Sequence, residues 1–430
     1  MTITDDPLGD LARALRAGEV EPSSHLDRVH DRFDDRESSI QAFLPEEDRW
    51  DRLERTATSL ETQYSEPGTR PPLYGVPVGV KDIFHVDGFP TKAGADVPPE
   101  TITGPQAATI SALREAGALV LGKTVTTEFA YFAPGPTRNP HDLARTPGGS
   151  SSGSAAAVAA GLCPLALGSQ TIGSVIRPAS FCGIVGVKPS YGRVSIDGVV
   201  PVAPSVDHVG WFTQDLAGAH LAAGVLCDDW CAEEPSGVPR VGAVEGPYLE
   251  QASETGQSHF EVHIERLTAA GLEVRRIDPF LDLEAVNRRH ERLVAAETAL
   301  SHSEWYPALG DRYAPETSDL IEEGLGVEVD ELAAARAGRR ALREEVHEAM
   351  TDRGIDVLVS PAAPGPAPEG IDSTGDPIMN LPWTHAGLPT VTLPASTTDD
   401  GLPLGLQCTA RFGADEHLFA WCRAIEAALA

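Results

Sequence analysis

The chain has 430 residues, of which 41% are hydrophobic and 6% aromatic, so it can bury a large core as one large domain or two intimately packed ones. Its 33 basic and 64 acidic residues give a formal net charge of -31, a field that repels nucleic acid and anionic membrane surfaces. Lysine occurs only at Lys81, Lys92, Lys123 and Lys188, so nearly all positive charge is arginine. Either a salt-adapted host or an ordinary acidic cytosolic enzyme from a GC-rich genome accounts for this balance.

In chain order, 8–18 and 23–33 read as short helices, the second with Ser23 and Ser24 as candidate caps. A charged amphipathic helix over 46–67 follows, and Pro71-Pro72 ends this N-terminal layer. Residues 73–80 read as a turn feeding a strand that ends at Lys81-Asp82-Ile83-Phe84, and 88–97 as a loop. A helix over 106–117 precedes a strand over 118–122. Residues 150–160 begin as loop and become a small-residue helix, while 163–169 and 183–187 suit buried strands. The character shifts after Gly210: a helix over 213–226, a strand over 240–244, then charged helices across 252–271, 282–304 and 328–354. Buried strands return at 356–361, 391–394 and 404–407, with a Pro-Ala loop over 362–370, a turn near 399–401 and a closing helix at 415–429. The alternation predicts an α/β fold, with a mixed central β-sheet flanked by helices on both faces. The domain reading is an N-terminal helical layer over 1–70 packed on a catalytic domain over 71–430, with a mainly helical insertion at about 240–354.

The stretch 148–190 carries the chemistry. Gly148-Gly149-Ser150-Ser151-Ser152-Gly153-Ser154 and Gly168-Ser169-Gln170-Thr171-Ile172-Gly173-Ser174 are nearly uncharged and set serines beside glycines. That pairing points to a nucleophilic hydroxyl next to an amide-lined anion hole. No Walker-type phosphate loop, Gly-x-Ser-x-Gly elbow or His-Glu-x-x-His helix occurs. The six cysteines have no scaffold density; Cys227 and Cys231 have no second pair near them, and Cys163 and Cys182 sit in apolar context as core residues. His85, His141 and His208 read as structural or surface groups. The opening Met-Thr-Ile-Thr-Asp-Asp has no signal-peptide character and no spanning run is convincing, so the expected location is cytoplasmic. Lys81, at the end of an apolar strand, is either a desolvated base or a lysine that snorkels or pairs with Asp82.

The chain resembles the amidase signature family of serine hydrolases over roughly 70–430. The motifs are Gly79-Val80-Lys81-Asp82, Gly122-Lys123-Thr124, Arg145-Thr146-Pro147-Gly148-Gly149-Ser150-Ser151-Ser152-Gly153-Ser154, Gly168 through Pro178, Phe181-Cys182-Gly183, and Gly401-Leu402-Pro403-Leu404-Gly405-Leu406-Gln407. The resemblance implies a Ser–cisSer–Lys triad with Ser174 as nucleophile, Ser150 as middle serine after a cis peptide, and Lys81 as base. It also implies an oxyanion hole from the amides of Thr171, Ile172, Gly173 and Ser174. The chain departs from the common Asp-Thr-Gly-Gly-Ser-Ile-Arg form at Gln170, at Ile172, and at Arg177, which comes one place later. Ile172 keeps its N–H, so the hole survives if the backbone there is open to a branched side chain. The implied activity is hydrolysis of a soluble small-molecule carboxamide by a monomer or homodimer, with no cofactor, no metal, no nucleic acid and no membrane. The alternatives are the A-type catalytic subunit of an aminoacyl-tRNA amidotransferase, or a ureido or carbamoyl hydrolase of the family; a non-enzyme binding subunit would have lost a triad member, and none is lost. The pocket is expected from the loop 129–139, the insertion 240–354 and the stretch 379–384, with Trp383 either an apolar wall or plain core.

The charge of -31 predicts a fold that repels itself at low ionic strength. The midpoint of thermal denaturation should rise as KCl goes from about 0.1 to about 3 M; a midpoint falling steadily with salt would contradict this.

Overall fold

The computed structural model describes residues 6–231 and 237–430. The opening stretch read as lacking a signal peptide lies, except for Asp6, outside the described residues. The strands are β1 (Pro77–Lys81), β2 (Leu119–Thr124), β3 (Leu165–Gln170), β4 (Val185–Lys188), β5 (His208–Thr213), β6 (Val241–Val244), β7 (Val274–Ile277), β8 (Val357–Pro361), β9 (Thr390–Thr397) and β10 (Pro403–Thr409). They form one 10-stranded sheet in the order β2-β1-β3-β5-β4-β9-β10-β8-β6-β7. β1 runs parallel to β2 and β3, every pairing from β3 through to β8 is antiparallel, and β6 is parallel to β8 and β7. β1 to β5 are buried at every residue, as strands covered by helices on both faces must be. This is the mixed α/β sheet the sequence predicts.

Several boundaries differ from the sequence reading, each for a local reason. The second helix runs Pro22–Ile40; Glu21 takes the cap position without a side-chain bond, so Ser23 and Ser24 lie inside the first turn. β5 starts at His208, ahead of the change of character after Gly210. The short helices Ile176–Cys182 and Leu381–Ala386 each carry a proline and span too few residues to show a helical period. β7 is Val-Arg-Arg-Ile at the sheet edge with both arginines exposed, a pattern without alternation. Thus the segment 240–354 also contributes β6 and β7 to one end of the sheet.

The helix Ser152–Ala159 positions the site. Its residues are Ser, Gly, Ser, Ala, Ala, Ala, Val and Ala, and all are buried. A helix apolar on all sides belongs in the interior, and this one lies between the sheet and the N-terminal helices, packed with Leu26, Val29 and Leu53. Ser154 Oγ donates to Leu167 O at 2.7 Å and lies 2.7 Å from Thr124 Oγ1, which joins the helix to β3 and β2. Arg36 donates to Ala160 O at 2.6 Å, satisfying a carbonyl at the helix C-terminus.

Gly153 makes that approach possible: a Cβ there would lie 2.1 Å from Ala42 O and 2.5 Å from Val125 N, both backbone atoms. Gly153→Ala should therefore cost about 3 kcal/mol by denaturant unfolding. Gly9→Ala, in a helix position with nothing within 4 Å, should stabilise by about 0.5–1 kcal/mol in the same assay.

Candidate active site

β1 ends in Lys81, whose side chain is fully buried. Its Nζ donates to Ser150 Oγ at 2.7 Å and to Ser169 Oγ at 2.8 Å. Successive strand residues point to opposite faces, and Asp82 pairs with Lys123 at 2.7 Å, not with Lys81. Burial pushes the Lys81 amine well below the ordinary lysine value, opposed in part by the Asp207 carboxylate.

Ser150 follows a cis peptide bond from Gly149, as the resemblance implies. Arg177 Nη2 donates to Gly149 O at 2.8 Å and to Thr374 Oγ1 at 3.1 Å, tying this turn to the loop near residue 374. Accessibility rises along the expected relay: Lys81 is 0% exposed, Ser150 2% and Ser174 8%. Substrate can therefore reach Ser174, while the amine stays dry. Among the described residues no hydrogen bond joins Ser150 Oγ to Ser174 Oγ. Such contacts are often long in ligand-free enzymes and close when substrate is bound.

The loop after β3 presents its backbone. Among the described residues the N–H groups of Thr171, Ile172, Gly173 and Ser174 have no acceptor, while those of Val175 and Ile176 both donate to Gln170 Oε1, at 2.8 and 2.9 Å. Four consecutive free amides beside a serine can bind an oxyanion. Ile172 has no positive φ, so its backbone is open to a branched side chain. Gly173 is required by space, since a Cβ there would lie 2.4 Å from Asn380 Oδ1 and 2.8 Å from Pro377 Cβ. Thr171 Oγ1 donates to Asp207 Oδ1 at 2.6 Å, and Asp207 Oδ2 accepts from Val202 N and Ala203 N.

A narrow cleft with room for only about 10 Å³ adjoins Ser174, walled by Tyr131, Phe132, Val202, Val294 and Pro377. It meets a wider, solvent-open cavity of about 790 Å³ at Phe132 and Pro377, whose lining includes Glu316, Asp372 and Asp376. The loop and the 240–354 segment thus supply walls as expected. The stretch 379–384 stands behind the 171–174 loop: Trp383 is 1% exposed, donates to Tyr248 Oη at 2.9 Å and belongs to the core, not to the wall. Glu128 fixes the aromatic wall from behind, accepting from Ala314 N and, at 2.6 Å, from Thr317 Oγ1.

His141 Nε2 bonds Cys182 O and His208 Nδ1 bonds Val206 O, which are structural roles. Cys163 and Cys182 are buried. Among the described residues no group of three or more His, Cys, Asp or Glu could hold a metal ion, and no helix is long and apolar enough to cross a membrane. Ser169 as a partner of Lys81, Gln170 as a loop clamp, and the bonds of Glu128 to Ala314 and Thr317 escaped the sequence reading. Only the pairing of the two strands reveals Ser169: β1 lies beside β3 with Val80 at Leu167, so Lys81 falls level with Gly168 and its side chain reaches the hydroxyl of the following Ser169.

The family model described as Amidase matches residues 29–419. The chain is 32% identical to the A-type subunit of the glutamyl-tRNA(Gln) amidotransferase of Koribacter versatilis (strain Ellin345), over 88% of this chain and 90% of that protein. It is 33% identical to AtzE, a subunit of the 1-carboxybiuret hydrolase of Pseudomonas sp. (strain ADP), over 84% of this chain and 85% of the other. A crystal structure of an amidase superposes with a TM-score of 0.89 at 32% identity, covering 99% of this chain and 100% of that one. With family motifs, sheet and overall shape in agreement, the chain belongs to the amidase signature family and is an amide-hydrolysing enzyme.

Proposed function

We propose that the protein hydrolyses a carboxamide of a soluble small molecule to a carboxylate and ammonia or an amine, through an acyl-enzyme on Ser174. The observation that carries this is the buried Lys81 amine, bonded to hydroxyls and no carboxylate, beside a loop of four free amides that ends in Ser174. Neutral Lys81 takes a proton from Ser150 as Ser150 takes one from Ser174. Ser174 Oγ then attacks the carbonyl carbon, and the amides of Thr171, Ile172, Gly173 and Ser174 receive the negative oxygen. On collapse the proton held by Lys81 returns through Ser150 to the leaving amine. Water then enters, loses its proton along the same path, and releases the carboxylate. The carboxylates at the wider mouth of the cleft favour neutral or cationic amides over anionic ones.

The sign of the pH dependence follows from burial. Below its lowered pKa Lys81 is an ammonium and cannot accept a proton, so kcat/KM should rise with pH and level off well below the usual lysine value of about 10.4. Across a panel of neutral, cationic and carboxylate-bearing amides, Ser174→Ala should release no ammonia. Lys81→Arg should fall by about 1,000-fold or more, because arginine stays protonated. Full activity in Ser174→Ala, or near-native turnover in Lys81→Arg at the same salt and pH, would reject the mechanism.

One observation favours a second reading: a relative at 32% identity belongs to a glutamyl-tRNA(Gln) amidotransferase. Such a chain would hand ammonia to a partner, whereas a free-standing amidase closes its own site. Purification from the native host with mass spectrometry of co-eluting chains separates the two. A lone chain or homodimer with amide turnover is expected; a stoichiometric tRNA-binding partner required for product formation would establish the second reading.

A further inference from the structure

The N–H groups of the 171–174 loop can serve an oxyanion only if their peptide planes are held in one orientation. The side chains that hold them lie outside the loop. Gln170 is 1% exposed and Thr384 is fully buried. Gln170 Oε1 accepts from Val175 N and Ile176 N, and its Nε2 donates to Thr384 Oγ1 at 2.9 Å. Thr384 Oγ1 in turn lies 2.7 Å from Ile172 O and 3.1 Å from Asn380 O. A hydroxyl has one proton, and the shorter contact places it on Ile172 O.

The 172–173 peptide is trans, the cis bond in this region being Gly149–Ser150. In a planar trans peptide the C=O and the following N–H point in opposite directions. Drawing the Ile172 carbonyl to Thr384 therefore turns the Gly173 N–H away from Thr384. That N–H is unpaired, and Gly173 and Ser174 both line the cavity. The next peptide is fixed in the same way, because Gly173 O accepts from Arg177 N at 3.1 Å.

We propose that Gln170 and Thr384 are positioning residues that set the 172–173 peptide and so aim the Gly173 N–H as an oxyanion donor. The proposal rests on the reading of Ser174 as nucleophile. The amide of Gln170 is required as both acceptor and donor. A glutamate there would accept from Val175 N and Ile176 N, but as a carboxylate it has no proton for Thr384. The threonine hydroxyl would then donate to the carboxylate and release Ile172 O.

The test uses the full chain with Thr384→Val, Thr384→Ser and Gln170→Glu. Steady-state kinetics on one amide that the parent enzyme turns over, inhibition by phenylboronic acid, thermal denaturation and crystal structures are compared. Thr384→Val and Gln170→Glu should lower kcat by about 10- to 100-fold with KM within about threefold, and weaken the boronic acid, which forms a tetrahedral adduct, by a comparable factor. Thr384→Ser keeps the hydroxyl and should stay within about threefold of the parent. Crystals of Thr384→Val should show the 172–173 peptide turned or in two orientations.

The proposal is overturned if Thr384→Val keeps kcat within about twofold, if Thr384→Ser loses as much as Thr384→Val, or if the lost activity matches the unfolded fraction at the assay temperature. An unturned 172–173 peptide in Thr384→Val also overturns it. That readout does not depend on turnover, whereas activity surviving in Ser174→Ala would remove the nucleophile assignment alone.

Discussion

A lysine amine without a carboxylate partner, sealed under the C-terminal end of a buried strand, is the constraint on which the rest depends. An ammonium in such a place is strongly disfavoured, and the neutral amine is correspondingly favoured. The hydroxyls of Ser150 and Ser169 are the partners a neutral amine tolerates, since each can donate or accept. A carboxylate in contact would restore the charge on the amine. The fold keeps the nearest candidate away by strand geometry: Asp82 faces the opposite side and is satisfied by Lys123. Asp207 acts only at longer range, and its oxygens are taken by Thr171 Oγ1 and two backbone amides.

Keeping that amine dry requires the surrounding backbone to come very close, which explains the small residues of 148–160. Gly153 lets a helix touch the backbone at Ala42 and Val125, and the alanines after it are buried against the sheet. The same serines then meet two needs at once. Ser154 satisfies a strand carbonyl, and Ser151 Oγ bonds both the N–H and the carbonyl of Ser169 at 3.2 Å. Polar side chains this deep are tolerable because each is hydrogen-bonded. The site is therefore assembled on the helix and strands of the core, and its precision comes from their packing.

The sheet was legible in local apolar runs, and the candidate triad came from the resemblance that the motifs around Lys81, Ser150 and Ser174 carry. Buried strands such as 163–169 and 356–361 are continuous apolar runs, and glycine beside serine marks a backbone that must approach something closely. Lys81 stood out as one of four lysines ending an apolar strand. What escaped depends on long-range register. Ser169 is one serine among many until β1 is laid beside β3, and Gln170 looks like a plain exchange until Thr384 is brought to it from 214 positions away. Trp383 could not be divided between wall and core for the same reason: its partner Tyr248 lies in a segment without motifs. The helices of 240–354 announced themselves by amphipathic period, whereas β7, with two exposed arginines, had no strand pattern to show.

Chemistry and selectivity are built from different materials. The Lys81 amine, the hydroxyls around it and the amide loop stand on adjacent parts of β1, β3 and the turn before the helix Ser152–Ala159, where a shift of one residue would reverse a side chain. The walls of the cavity come from Tyr131, Val202, Val294 and Pro377, four segments remote in the chain and free to change volume without moving the strands. Val294 rides on the helix Leu283–Ser301, which is no part of the sheet, so a larger or smaller residue there alters the cleft and leaves the strand that carries Lys81 in place. A chain at 32 to 33% identity to enzymes named for an amidotransferase and a carboxybiuret hydrolase fits this division. The motifs that the family shares fall on the first set of elements, and the second set lines the cleft beside Ser174.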